Sequence, residues 1–368
     1  MDLDKLAKPF LKNLNPYKPG KPIEQVQREK GITTPLSKLA SNENPYPPHE
    51  KIRSAMTEAI KEINRYPESG APDLTDRVAV VLNVGTDEVF VGNGTNEIID
   101  LLIRAFVKSD ENCVFSAFSF VVYKIICKQC DVEGVEVADR DYRHDLDAMA
   151  KAVNDKTKIV FVCNPNNPTG TYNTAGEIDE FLSRIPEDVL VVFDQAYYEY
   201  VSASDYPDVY TLRRKRPSII SLRTFSKIYS LAGLRIGYAI ADSKVVEILN
   251  KMRQPFNVNR MAQAAAQAAL ECRGEFGAYL EENKRECDRL RKEMLDLGFE
   301  CPPSQTNFLF VRPAGAPDNI CERLEDLGVI VRPCVQFGGP ENSFRVNMGT
   351  PEENNRFLAG MKTILGSS

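Results

Sequence analysis

The sequence predicts an α/β protein, a large domain with a mostly parallel sheet sandwiched by helices and a smaller α+β domain after it. Three observations carry this. From about residue 50 onward, helical and strand patterns alternate; the strand-like runs are short, apolar and rich in Val and Ile, as strands covered on both faces require. After about Arg253 the alternation gives way to a long helical stretch and then to short strands. The 368 residues suffice for one large and one small domain.

Residues 1–40, rich in Pro, Lys and Asn (NLNPYKPGKPIEQ), form an extended arm leading to a short amphipathic helix. The large domain is assigned to 41–252. In it, 50–63 is helical, 89–92 is a strand and 97–106 is again helical, with apolar residues at helical spacing. A helix from about Val122 carries Cys127 and Cys130 one turn apart. The runs at 159–163, 189–193, 219–222 and 236–240 are the remaining strands. The small domain, 253–368, opens on a long helix over 261–297, broken at Arg273 and Gly274, and continues with strands at 308–311, 329–332 and 344–347.

Composition excludes several functions. With 46 basic and 52 acidic residues the net charge is -6, and the signs are interspersed, so no surface is built to hold a nucleic-acid backbone. Apolar runs fall short of the roughly 20 residues of a spanning helix, and the N-terminus has no signal-peptide pattern. The nine cysteines are scattered without regular spacing, as free thiols in a reducing compartment are, and a cytoplasmic location is expected. Only two histidines, His49 and His144, exist, which argues against Ser-His-Asp and Cys-His chemistry and leaves the Cys127–Cys130 pair without further zinc ligands.

In an open parallel sheet, ligands sit at the carboxyl ends of the strands. Four strand ends carry chemistry. Past the run at 219–222 lie Thr224 and Lys227, with Arg235 eight residues later. A lysine just beyond a buried strand can be desolvated to act as an amine nucleophile toward a carbonyl, while Thr224 and Arg235 offer a hydroxyl and a cation to a phosphate. Together they suggest pyridoxal 5'-phosphate. Thr95 and Asn96, in G92-N-G-T-N-E97, open a helix whose first N–H groups suit an anion. The loop N164-P-N-N-P-T-G170 presents the Asn167 amide above the sheet. Asp194 ends an apolar strand, where a pyridinium nitrogen would supply the cation a buried carboxylate needs; the same aspartate also suits a turn cap. Tyr197 follows three residues on.

The order N-x-x-N-P-T-G, D-x-x-Y, then S-K and an arginine resembles the fold-type I, pyridoxal-phosphate-dependent aminotransferases of class I/II along nearly the whole chain. Within that family the segments N15-P-Y-K-P-G-K, S41-N-E-N-P-Y-P-P, N64-R-Y-P-E, V331-R-P and F344-R-V-N-M-G-T look most like the histidinol-phosphate aminotransferases. The resemblance implies that Lys227 carries the cofactor as a Schiff base, that Asp194 pairs with the ring nitrogen, and that Asn167 and Tyr197 bond its phenolic oxygen. It implies that Thr95, Asn96, Thr224 and Arg235 hold the phosphate, that Phe120 stacks on the ring, and that Tyr66 reaches the site of a neighbouring subunit, hence a homodimer. The arm would then pack on the small domain and the partner. Arg332 and Arg345 become the substrate anchors, with Tyr17 and Asn167 beside them, and the substrates implied are glutamate/2-oxoglutarate and histidinol phosphate. An aromatic amino acid aminotransferase or a threonine-phosphate decarboxylase would use the same lysine. A catalytically idle module would be marked by loss of Lys227, Asp194 or Arg235, and all three are present.

Overall fold

The computed structural model describes residues 6–14, 16, 20, 22–31, 35–313 and 318–366. The chain enters through helix α1 (Ile23–Lys30) and strand β1 (Ser37–Lys38), then runs through α2 (Glu50–Ala59), α3 (Pro72–Leu82), β2 (Val89–Gly92), α4 (Thr95–Phe106), β3 (Asn112–Ser116), α5 (Val122–Gln129) and β4 (Glu133–Val137). The alternation continues with α6 (Leu146–Ala152), β5 (Thr157–Cys163), α7 (Ala175–Arg184), β6 (Leu190–Asp194), α8 (Val209–Lys215), β7 (Ile219–Thr224), β8 (Gly237–Ile240), α9 (Ser243–Met252) and α10 (Arg260–Glu271). The last part holds α11 (Gly277–Asp296), β9 (Phe299–Glu300), β10 (Phe308–Pro313), α12 (Ile320–Asp326), β11 (Val329–Ile330), β12 (Arg332–Pro333), β13 (Phe344–Asn347) and α13 (Pro351–Leu365).

The large sheet has seven strands in the order β2-β8-β7-β6-β5-β3-β4. Its neighbours from β7 to β4 are all parallel, and β8 runs antiparallel to both β7 and β2. Because β8 alone is reversed, β2, β5, β6 and β7 all end on one edge of the sheet, and that edge carries the site. Helices cover both faces: Ile99, Leu102 and Tyr123 pack on one side, Phe181, Ile178 and Met149 on the other. The α/β class expected from the sequence is therefore the fold observed.

Two strands of the large sheet escape the sequence pattern. β4, EGVEV, is an edge strand paired only with β3, so its outer positions stay polar and leave no apolar run. β3 begins with Asn112, whose buried amide oxygen accepts from Thr157 Oγ1 at 2.8 Å. The expected helix over 50–63 ends earlier, at Ala59, and continues as a 3-10 turn; the long helix over 261–297 is indeed interrupted at Arg273–Phe276.

A second layer of four strands, β12-β13-β10-β9, packs with α11, α12 and α13 around Leu290, Phe344 and Phe357. Helix α10 packs on α2 and α3, so the large layer extends past residue 253 to Glu271. The expected strand over 329–332 divides. β11 pairs in parallel with β1, and β12 pairs with β13. Val26, Leu36, Ala40 and Ile330 bury one another at that first pairing and fasten the N-terminal segment to the C-terminal layer.

Candidate active site

The carboxyl edge of the large sheet and the inner face of β12–β13 enclose a cavity of about 440 Å³. Thr95, Asn96, Phe120, Asn167, Asp194, Tyr197, Thr224, Lys227, Arg235, Arg332 and Arg345 all line it, although they are spread over 250 positions of sequence (345 minus 95). Eleven sequence-predicted residues thus converge. Tyr66 does not: it lies on the surface, 78% exposed and stacked on Phe256 at 4.6 Å. Tyr17 falls outside the described residues.

One end of the cavity is shaped for an anion. Strand β2 gives way through Asn93 and Gly94 to α4, whose first N–H groups face the space beside Arg235. Gly94 has φ 77 and ψ 166, a region essentially reserved for glycine, and a Cβ on it would lie 2.8 Å from Arg235 Nη2. Gly237, at the start of β8, is equally tight, since its Cβ would meet the Thr95 nitrogen at 3.1 Å. Arg235 itself takes φ 56, with Nη1 donating to the Ala232 carbonyl at 3.1 Å. The Thr224 hydroxyl oxygen, accepting from the Ser226 N–H at 3.1 Å, completes this end.

The floor is polar and buried. Asp194 is buried, and both carboxylate oxygens accept from neutral donors, Tyr123 O–H at 2.8 Å and the Ala196 N–H at 3.2 Å. Burial holds its pKa above the usual carboxylate range against the opposing pull of these donors and of the Lys227 charge. Phe120 stands edge-on to Tyr123, ring centroids 5.8 Å apart, and Tyr123 stacks on Phe161 at 4.6 Å. Of the three loop asparagines, two build the loop: Asn164 exchanges hydrogen bonds with Asn173, and the Asn166 amide donates to the Phe118 carbonyl and to Thr169 Oγ1. Only Asn167 faces the cavity, its Oδ1 accepting from Arg345 Nη1 at 2.5 Å.

Lys227 keeps some surface open to the cavity, yet its amine is enclosed by protein. Loss of water brings its pKa down from 10.5 to about 8, and the Arg345 and Arg235 charges push the same way against Glu43 and Asp194. Its Nζ lies 5.5 Å from the Tyr197 ring centroid. The Tyr197 hydroxyl accepts from the Asn42 amide at 2.7 Å, and burial raises its pKa.

Arg332 and Arg345 are direct cross-strand neighbours on β12 and β13, both buried. Arg345 Nη2 donates to the Ala40 carbonyl at 2.6 Å, and Arg332 Nη2 to Gln336 Oε1 at 3.0 Å. Phe337 lies beside both guanidinium groups, at 5.4 and 5.7 Å. Like charges placed opposite each other repel, so an anion between them is favoured.

Sequence reasoning missed Tyr123 and Asn42. Tyr123 stands one helical turn after Phe120 in F-S-F-V-V-Y, a spacing that would have put the two rings on one face. Asn42 touches Tyr197 across 155 positions, for which no local signal exists.

A pyridoxal phosphate fits this cavity. The side-chain-free Gly94 leaves an anion cradle between α4 and Arg235, and the buried Asp194 has only neutral donors where a pyridinium would bring a cation. Fold and cavity thus define a fold-type I, pyridoxal-phosphate-dependent enzyme. Comparison with known proteins narrows the class. The chain belongs to the class I and II aminotransferases, whose family profile matches residues 34–360. It is 42% identical over 365 residues to the histidinol-phosphate aminotransferase of Bacillus subtilis, covering 97% of this chain and 99% of that one. It is 39% identical over 361 residues to histidinol-phosphate aminotransferase 1 of Idiomarina loihiensis, covering 98% of each. The crystal structure of histidinol-phosphate aminotransferase from Sinorhizobium meliloti in complex with pyridoxal-5'-phosphate matches with a TM-score of 0.88 at 24% identity, covering 98% of this chain and 97% of the other, a likeness of fold.

Proposed function

We propose that this enzyme moves an amino group between glutamate/2-oxoglutarate and histidinol phosphate/imidazole-acetol phosphate, a step of histidine biosynthesis. The observation that carries the reading is the pair of buried arginines, Arg332 and Arg345, side by side on β12 and β13 and lining the same cavity as Lys227. Two guanidinium forks accept the two carboxylates of glutamate in one half-reaction and a phosphate in the other. Arg345 takes the α-carboxylate of the amino donor, with Asn167 beside it. The pair, with Tyr17 of the arm, takes the substrate phosphate.

Bound pyridoxal phosphate supplies a carbonyl carbon for covalent linkage and a protonated ring that accepts electron density from the substrate's Cα. Lys227 anchors it, and a pKa near 8 lets a useful share of the amine be neutral at physiological pH. Freed when an amino donor is bound, Lys227 Nζ would take and return the proton at the substrate's Cα, and the same atom would serve the second half-reaction in reverse. Asp194 would keep the ring nitrogen protonated, Asn167 and Tyr197 would hold the phenolic oxygen, and Phe120 would cover the ring. Thr95, Asn96, Thr224 and Arg235 would hold the phosphate. Tyr66 of the partner subunit adds to it in a cytoplasmic homodimer, with the arm against the small domain and the partner.

Lys227→Ala is expected to lose the borohydride-reducible chromophore and turnover; a variant that kept both would overturn the assignment. Steady-state comparison of histidinol phosphate, phenylalanine and threonine phosphate is expected to give the highest kcat/KM for the first. A preference for either of the others moves the reading to an aromatic aminotransferase or a decarboxylase.

A further inference from the structure

Among the described residues lining the cavity, five are basic and only two acidic, Asp194 and Glu43. Asp194 is engaged by Tyr123 and Ala196. Glu43 is held in another way. Asn42 before it donates its N–H to Asn347 Oδ1 at 3.0 Å and its amide to the Tyr197 hydroxyl at 2.7 Å, and Asn44 after it donates to the Ile228 carbonyl at 2.9 Å. Asn42 also takes the left-handed φ of 54. With both neighbours pinned, Glu43 is presented to the cavity at a defined place, near enough that the Lys227 amine feels its charge. The carboxylate bonds Lys38 at 3.0 and 3.2 Å, a part-exposed pair whose side chains are 44% and 24% accessible and whose oxygens retain acceptor capacity.

We propose that Glu43 is a specificity-determining residue that recognises the imidazole ring, its carboxylate accepting a hydrogen bond from the ring N–H of histidinol phosphate or imidazole-acetol phosphate. This rests on the functional reading above. Glutamate brings, besides its amine, two anions, and these belong to the arginines; it has no group for a carboxylate, and Lys38 neutralises Glu43 while glutamate reacts. The imidazole substrate brings one ring N–H that no lysine or arginine can accept from. A charged acceptor holds it more strongly than a neutral one. One cavity thereby serves two dissimilar substrates, with the arginines common to both and Glu43 used by one.

The two half-reactions are separable by single-turnover absorbance measurements, with glutamate on one form of the enzyme and histidinol phosphate on the same form. In Glu43→Leu, which keeps bulk and removes the acceptor, the apparent Kd for histidinol phosphate is expected to rise about tenfold or more, the scale of one hydrogen bond to a charged group, with the glutamate value unchanged within about twofold. Glu43→Gln, which retains one oxygen without charge, falls between. Calorimetric binding of the unreactive deamino analogue, imidazolylpropyl phosphate, is expected to weaken in parallel. Equal losses with both substrates, or no loss with either, overturn the proposal. A wild-type enzyme that accepts histidinol phosphate while both variants behave like it overturns this proposal alone; a wild type that does not accept it overturns the functional reading as well.

Discussion

Lys227 is poised by two kinds of surroundings, the loss of water and the positive charge of Arg345, and the second can be removed without touching the first. In cofactor-free protein, the rate at which Lys227 captures an aldehyde is expected to rise with pH and level off with a midpoint near 8. Arg345→Gln removes a lowering charge and should move that midpoint back upward, and an unmoved midpoint would leave the shift to burial and Arg235. The same group fixes a sign for stability. A lysine at about 10.4 in the unfolded chain still holds its proton where the folded one, at about 8, has released it, so the unfolded state binds more protons between these values. The cost of keeping Lys227 in place is therefore largest below pH 8 and is relieved as pH rises toward 10.5. Tyr123 acts on Asp194 in a comparable way, since its hydrogen bond favours the ionised carboxylate. Tyr123→Phe is expected to raise the Asp194 pKa further and to cut kcat about tenfold or more, with the pH-dependence of the bound cofactor's absorbance displaced; an unchanged spectrum would restrict Tyr123 to packing. Lys227, Asp194 and Asn167 stood out because each sits in a short stretch of unusual composition at a strand end, whereas Arg345, inside β13, was reached only through the family resemblance. Tyr123 was not, because its partner is 71 positions away and a tyrosine between apolar residues looks like core.

At the scale of elements, the turn from β2 into α4 is the most constrained. Gly94→Ala would force a side chain into φ 77, ψ 166 and set a Cβ 2.8 Å from Arg235. It is expected to cost about 1–3 kcal/mol of stability from the backbone alone. Cofactor affinity should fall as well, because Arg235 must move from the anion cradle. Thermal melts with and without pyridoxal phosphate separate these effects; a variant whose melt drops but whose cofactor affinity stays would remove Gly94 from the cradle. Buried strands such as β5 and β6, with their runs of Val, Ile, Leu and Phe, showed themselves in the sequence, whereas β4 did not: an edge strand contacts one neighbour and needs no apolar run. The split of β11 from β12 was equally invisible. Each half obeys a partner hundreds of positions or a dozen residues away, and strand pattern carries no name of the partner.

At the scale of the molecule, Ile60, Ile63, Tyr66 and Phe256 are 52%, 62%, 78% and 43% exposed, apolar side chains left open at the end of α2 and after α9. A second copy of the chain is expected to cover them, which puts Tyr66 at the partner's site. Ile60→Lys with Ile63→Lys should halve the mass seen in sedimentation and loosen the cofactor; a monomeric wild type of full activity would contradict the dimer. The pairing of β1 with β11 bears on something else, the order in which the chain becomes structured. Val26, Leu36 and Ala40 leave the ribosome well before the surface they need, Ile330 and its strand, which is made about 300 positions later. Through most of synthesis the N-terminal segment has no partner, while the parallel core of the large sheet has already been completed. This early segment is therefore fastened late, and Asn42 to Asn44, which present Glu43 and bond Tyr197, take their final positions only after β11 and β13 have been made.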